Sequence, residues 1–157
     1  MNKKTGELPE YQASLEFTVR SYELDIQGVV NNAVYQNYLE HARHDFLLSR
    51  GIDFTQLHQE GIELIVTKVE IEYKYPLRSH DRFVIKSLIR REGNVRLVFH
   101  QGIYRIPDNK LIVKAVITGV STKNGKPVSP EPLIEKMQGF MSIRGRQIGR
   151  ASCRERV

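Results

Sequence analysis

One strand pattern, one long helical pattern and four further strand patterns follow one another along the 157 residues, an order that predicts an α+β domain. Two observations carry that prediction. Tyr35, Tyr38, Leu39, Ala42 and Phe46 fall on a 3.6-residue period, giving the single apolar stripe that a helix lays on a sheet. The later runs are joined by short turn sequences, Glu92-Gly93-Asn94 and Pro107-Asp108-Asn109, which make the strands they join antiparallel neighbours.

The first strand is predicted over 14–20, where Leu15, Phe17 and Val19 alternate with Glu16, Thr18 and Arg20. It leads through a Gly-bearing loop to the helix of about 18 residues, for which Asn31 or Asn32 suits the N-cap and Arg50-Gly51 the stop. Asp53 with Gln56 resembles a capping box opening a short helical turn that Gly61 ends. Over 62–75 the apolar residues change parity, from Ile62, Leu64 and Val66 to Val69, Ile71, Tyr73 and Tyr75, so a bulge is expected near Thr67 and Lys68. Pro76 closes that strand and 78–82 form a polar turn. The remaining strands are predicted over 83–89, 95–106 and 111–120, the last apolar on nearly both faces, as a central strand is. Pro127, Pro130 and Pro132 mark an irregular exit.

A net charge of +6 invites a nucleic-acid reading, but residues 144–157 carry five Arg and one Glu and hold most of the excess. Residues 1–143 read as one domain; 144–157 read as a basic tail, non-native or disordered, that contains the lone Cys153. One cysteine allows no internal disulfide and no Cys-based metal site. No apolar run is long enough for a secretory signal or a membrane span, so a cytoplasmic protein without nucleic-acid or membrane partners is expected.

Chemistry concentrates before the helix. A helix start offers unpaired N–H groups and about half a positive charge to an oxyanion. Asp25 lies seven residues before Asn32, a loop length that lets its carboxylate fold back beside that point as general base or nucleophile. From the residues alone, Asp25 fits equally an Asx-turn with no catalytic duty.

The run Asp25-Ile-Gln-Gly28-Val-Val-Asn31-Asn32-Ala-Val-Tyr35, followed by Tyr38-Leu39-Glu40 and Ala42-Arg43, resembles the signature of the 4-hydroxybenzoyl-CoA thioesterase family. The resemblance implies the hotdog fold, a curved antiparallel five-stranded sheet wrapped around one long central helix. It also implies an acyl-CoA thioesterase that is a homodimer or homotetramer and needs no cofactor, CoA being part of the substrate. Asp25 is then the catalytic carboxylate and the Asn32 N–H polarises the thioester carbonyl. Gly28, Val29, Asn31 and Tyr35 are the expected substrate-binding residues, and Arg78 and Arg90 the expected contacts for the CoA phosphates. Many members carry His where this chain has Val29, and some carry His or Tyr at the Asn32 position. The alternatives are an acyl-acyl carrier protein thioesterase and a non-enzymatic acyl-CoA sensor or scaffold.

Other candidates have plainer readings. His41, His44 and Asp45 lack a third ligand on an adjacent element, so no metal site is expected. Tyr35, Tyr38, Tyr73 and Tyr75 could stack on an aromatic acyl group, but at these spacings they fit core positions with the hydroxyl at the edge better. Glu40, one step from the apolar stripe, suits a partner such as Arg43.

Overall fold

The computed structural model describes residues 10–137. The 144–157 tail and Cys153 lie outside them. β1 (Ala13–Thr18) leads through a short 3-10 turn to α1 (Asn32–Ser49) and α2 (Phe54–Gln59). There follow β2 (Ile62–Tyr73), β3 (Arg82–Glu92), β4 (Arg96–Ile106), β5 (Lys110–Lys123), β6 (Lys126–Pro127) and α3 (Glu131–Lys136). The strands form one antiparallel sheet in the order β1-β3-β4-β5-β2.

The expected five strands need one correction, because two-residue β6 pairs with β5 as a sixth. Its Thr122↔Pro127 and Lys123↔Lys126 pairs extend the turn at Asn124-Gly125, a ladder too short for any periodicity to announce. The parity switch in β2 is a true irregularity, with the register slipping between Val66 and Lys68. Because of it Leu64 and Val66 before the slip, and Val69, Ile71 and Tyr73 after it, all face the same side as Ile117 and Val113 of β5.

α1 lies on that inner face and buries Tyr35, Tyr38, Leu39, Ala42, Phe46 and Leu47, against Phe83, Ile85, Phe99, Ile103 and Ile117 of the sheet. Its start is capped by Asn31, whose Oδ1 accepts from the Ala33 amide at 2.9 Å. It ends in a Schellman pair: the Ile52 amide donates to Leu47 O and the Gly51 amide to Leu48 O, both at 3.0 Å. Gly51 accepts the left-handed φ of 94° that this stop requires. Asp53 caps α2 through the Gln56 amide at 3.1 Å.

Polar residues pin the helix to the sheet. Gln101, buried in β4, donates to Leu39 O at 3.1 Å and to Ser87 Oγ at 3.0 Å, while its Oε1 accepts from Arg43. A buried amide satisfied on both ends fixes the distance between helix and strand.

Candidate active site

The loop between β1 and α1 is held from three directions. Asp25 and Val29 close a tight turn in which the Asp25 amide donates to Val29 O at 2.8 Å and the Gly28 amide to Asp25 O at 3.0 Å. Gly28 takes φ 82° there, the conformation that favours glycine. Val29 pairs with Arg78, and the Val30 amide donates to Leu77 O at 2.9 Å, stitching the loop to the segment after β2. The Leu77 amide in turn donates to Tyr35 Oη at 2.9 Å.

Asp25 is half-buried and its carboxylate is divided in use. Oδ1 accepts from the amides of Gln27 at 2.8 Å and Val29 at 3.3 Å, the Asx-turn that the residue type suggested. Oδ2 has no hydrogen-bond donor among the described residues. The backbone N–H of Asn32, first residue of α1, likewise has no acceptor among them, as expected for the first turn of a helix. Asp25 and Asn32 line one pocket of about 480 Å³, together with Val29, Val30 and Asn31 from the loop, Tyr35 from α1, and Tyr73, Lys74, Tyr75 and Pro76 from the end of β2.

The other expected residues divide. Gly28 shapes the loop without lining the pocket. Tyr35 is buried, its ring forming the pocket wall 5.6 Å from that of Tyr73. Tyr38 is core, but Tyr73 and Tyr75 are exposed at the pocket mouth. Arg78 stands at the loop, its amide bonded to Asp81 Oδ2 at 2.9 Å. Arg90 is not brought to Asp25 within one chain: it pairs with Val98, itself opposite Thr118 and then Lys68, well down β2 from Tyr73. Its side chain lies on the outer face, since its neighbour Ile89 is in the core.

His41 packs edge-on to Phe17 and His44 tilts against Phe54, so each histidine has an aromatic contact of its own. Glu40 is exposed; its charge acts on Arg43, whose guanidinium is pushed down by burial and back up by Glu40. Sequence reasoning passed over Gln27, Lys74 and Glu23. The carboxylate of Glu23 is buried behind the loop, where it accepts from Tyr38 Oη at 2.6 Å and from the Arg20 amide at 2.8 Å. Its position three residues after Arg20, with an amide and a guanidinium to accept from, was the only available signal.

The profile of the Thioesterase-like superfamily matches residues 19–138, which contain the loop, α1 and the whole of β2 to β5. The chain is 43% identical over 110 residues to the acyl-acyl carrier protein thioesterase ATL2 of Arabidopsis thaliana, covering 70% of this chain and 58% of that one. The chain thus spans little more than half of that plant relative. It is 30% identical over 105 residues to the long-chain acyl-CoA thioesterase FadM of Escherichia coli, covering 67% of this chain and 79% of that one. Among solved structures, YbaW, a probable thioesterase from Escherichia coli, superposes with a TM-score of 0.71 at 29% identity over 80% of this chain and 96% of that one. A hypothetical protein from Aquifex aeolicus does so at 0.73 and 28% identity, over 81% and 100%. The fold is the hotdog fold. No helix among the described residues is long and apolar enough to cross a membrane.

Proposed function

The chain belongs to the Thioesterase-like superfamily, and on that premise we propose that it hydrolyses an acyl-CoA thioester to the free acid and CoA. The observation that carries this reading is the meeting of a half-free carboxylate and an unpaired helix-start amide on one pocket. The thioester carbonyl oxygen accepts from the Asn32 N–H, a donor of the kind commonly worth about 3 kcal/mol in the transition state. Asp25 Oδ2 either attacks the carbonyl carbon, forming a mixed anhydride that water then opens, or takes a proton from the attacking water. Both routes expel the CoA thiolate and end with the same acid. The motif's resemblance to the 4-hydroxybenzoyl-CoA thioesterase family supports these roles.

Around this centre, Tyr35 and Tyr73 wall the acyl side, and Lys74 and Arg78 offer cations to the phosphates of the thiol carrier. A second reading, an acyl carrier protein as that carrier, is favoured by the identity to the plant acyl-acyl carrier protein thioesterases. A homo-oligomer is supported by edge strand β2, which leaves Ile65, Val66 and Val69 exposed.

The test is free-thiol release from a panel of acyl-CoAs and acyl carrier protein thioesters by the wild type and by Asp25→Asn. The asparagine keeps an Oδ1 for the Gln27 and Val29 amides, so the loop is retained. Expected is a loss of at least about a hundredfold in turnover with unchanged thermal stability. Turnover of nothing, or a variant equal to the wild type, would return the fold to the role of an acyl-CoA sensor or scaffold.

A further inference from the structure

Arg43 takes no part in the Asp25 pocket. It stands on α1, half-buried, with its guanidinium 6.0 Å from the centre of the Phe99 ring. A guanidinium carries five N–H donors. One of them is spent, from Nη1 to Gln101 Oε1 at 3.1 Å. The rest have no acceptor among the described residues, and no carboxylate there forms an ion pair with Arg43. Burial disfavours its charge, and exposed Glu40 offsets that only through its field.

The same side chain lines a cavity of about 380 Å³ that shares no lining residue with the Asp25 pocket. Its depth is formed by Leu47, Ile52, Leu57, Phe99, Ile117 and Leu133, all buried and all apolar. The rim includes exposed residues of α1 and α2, among them His44 and Phe54, whose rings lie 5.1 Å apart. Of the two acids that line it, Glu40 and Glu63, both are exposed, and Glu63 is paired with His58 at 3.1 Å. The volume falls in the ordinary range of small-ligand sites, about 300–1,000 Å³.

A wholly apolar ligand would fill the depth but shut the free N–H groups of Arg43 off from water without giving them an acceptor. A ligand with several charges would bring some that the apolar depth leaves unpaired. An apolar body ending in one carboxylate satisfies both parts, because two carboxylate oxygens match the planar guanidinium fork. We propose that this cavity is a second binding site, for a small monocarboxylate, with the carboxylate on Arg43 and the apolar body among Leu47, Leu57 and Ile117. Roughly 30 Å³ for a water-sized group puts about a dozen heavy atoms in the cavity, so a body of the size of octanoate fits whole. The acid that thioester hydrolysis releases is of this chemical class, but the site stands without that reading, since it contains none of the same residues.

The test is a titration of the full isotope-labelled chain with octanoate, read from its backbone amide shifts, beside octanol, which has a similar body and no charge. Expected are saturable shifts at the Leu47, Leu57 and Ile117 amides, with octanol at least about tenfold weaker than octanoate and Arg43→Met weakening octanoate at least about tenfold. Ile62→Trp, which puts bulk into the cavity and leaves Arg43 in place, should weaken both ligands. Should Arg43→Met fail to fold, the ratio of octanoate to octanol in the wild type and the response of Ile62→Trp decide. The proposal is overturned by shifts that do not saturate at those amides or that are confined to Gly28 and Val29 of the Asp25 loop. Octanol binding as tightly as octanoate, or a folded Arg43→Met or Ile62→Trp that binds octanoate like the wild type, overturns it equally. Thiol release is measured separately, so none of these results touches the thioesterase reading.

Discussion

Glu23→Gln tests how the Asp25 loop is held. Glu23 is 7% exposed, and its two carboxylate oxygens accept four hydrogen bonds, from the Arg20 amide, Arg20 Nε and Nη2, and Tyr38 Oη. Its carbonyl accepts from the Asn31 amide at 3.2 Å, so the residue ties the end of β1, the side of α1 and the N-cap together. A glutamine offers one acceptor oxygen where two are used and turns N–H donors toward a guanidinium. The Arg20 side chain is 57% exposed and water replaces much of what it loses, whereas the buried Tyr38 hydroxyl has no such recourse. The resulting cost is about 3 kcal/mol at neutral pH, which for a chain of this size lowers Tm by roughly 6–12 °C. Burial by itself raises the Glu23 pKa, but the bonds from Tyr38 and Arg20 outweigh it and hold the group below the usual carboxylate range. A lowered folded pKa gives stability that is present above the unfolded value, about 4.3, and is lost as pH falls through the folded one. Thermal melts followed by circular dichroism at pH 7 and at pH 3 should therefore show a wide gap between wild type and variant that narrows in acid. A gap below about 2 °C at pH 7, or one unchanged at pH 3, refutes this account of the loop.

Three further outcomes follow from the structure. Tyr35→Phe leaves the buried Leu77 amide without its acceptor and should cost about 1–3 kcal/mol in a denaturant titration, with kcat falling as the loop behind Asp25 loosens. In His100→Gln the acid sensitivity of stability should shrink. Burial, then the charges of Arg90 and Lys114, hold the His100 pKa low against the opposing pull of Glu92, so wild-type stability is lost as pH drops below about 6.5, and melts at pH 7 and 5 compare the two. Gly61→Ala should destabilise by at least about 1–2 kcal/mol, because Gly61 has φ 79° and a Cβ there meets Asn124 Oδ1; Asn124→Gly in the same chain should restore part of the lost Tm.

How far the sequence could be read depended on whether an interaction was local. The helix stripe, the Asn31 cap, the Gly51 stop and the β2 irregularity rest on residues within a few positions of one another, and all were legible. Parity told which face each β2 residue takes but not whether anything covers it. Tyr73 and Tyr75 read as core, yet both are exposed at the end of edge strand β2, where the pattern of alternation alone gives no sign of cover. Gln101 and Glu23 carried no signal in the sequence, and each is buried because partners 62 and 15 residues away satisfy it. Arg78 and Arg90 looked alike as cations near strand ends; only the pairing of Val29 with Arg78, and the register that carries Arg90 down the sheet, separates them.

The two readings that the sequence left balanced for Asp25 turn out to be compatible, because they use different oxygens. Oδ1 holds the turn through Gln27 and Val29, which restrains the carboxylate of a residue that lines the pocket and leaves Oδ2 without a donor among the described residues. A catalytic group needs that kind of immobilisation, since a nucleophile free to rotate loses most of the advantage of proximity. Leu77 extends the same constraint outward: its carbonyl takes the Val30 amide and its amide meets Tyr35 Oη, so the segment closing β2 braces the loop from one side and α1 from the other. The segment after β2 is thus joined to the Asp25 loop by hydrogen bonds, while the middle of β2 leaves Val66 and Val69 exposed.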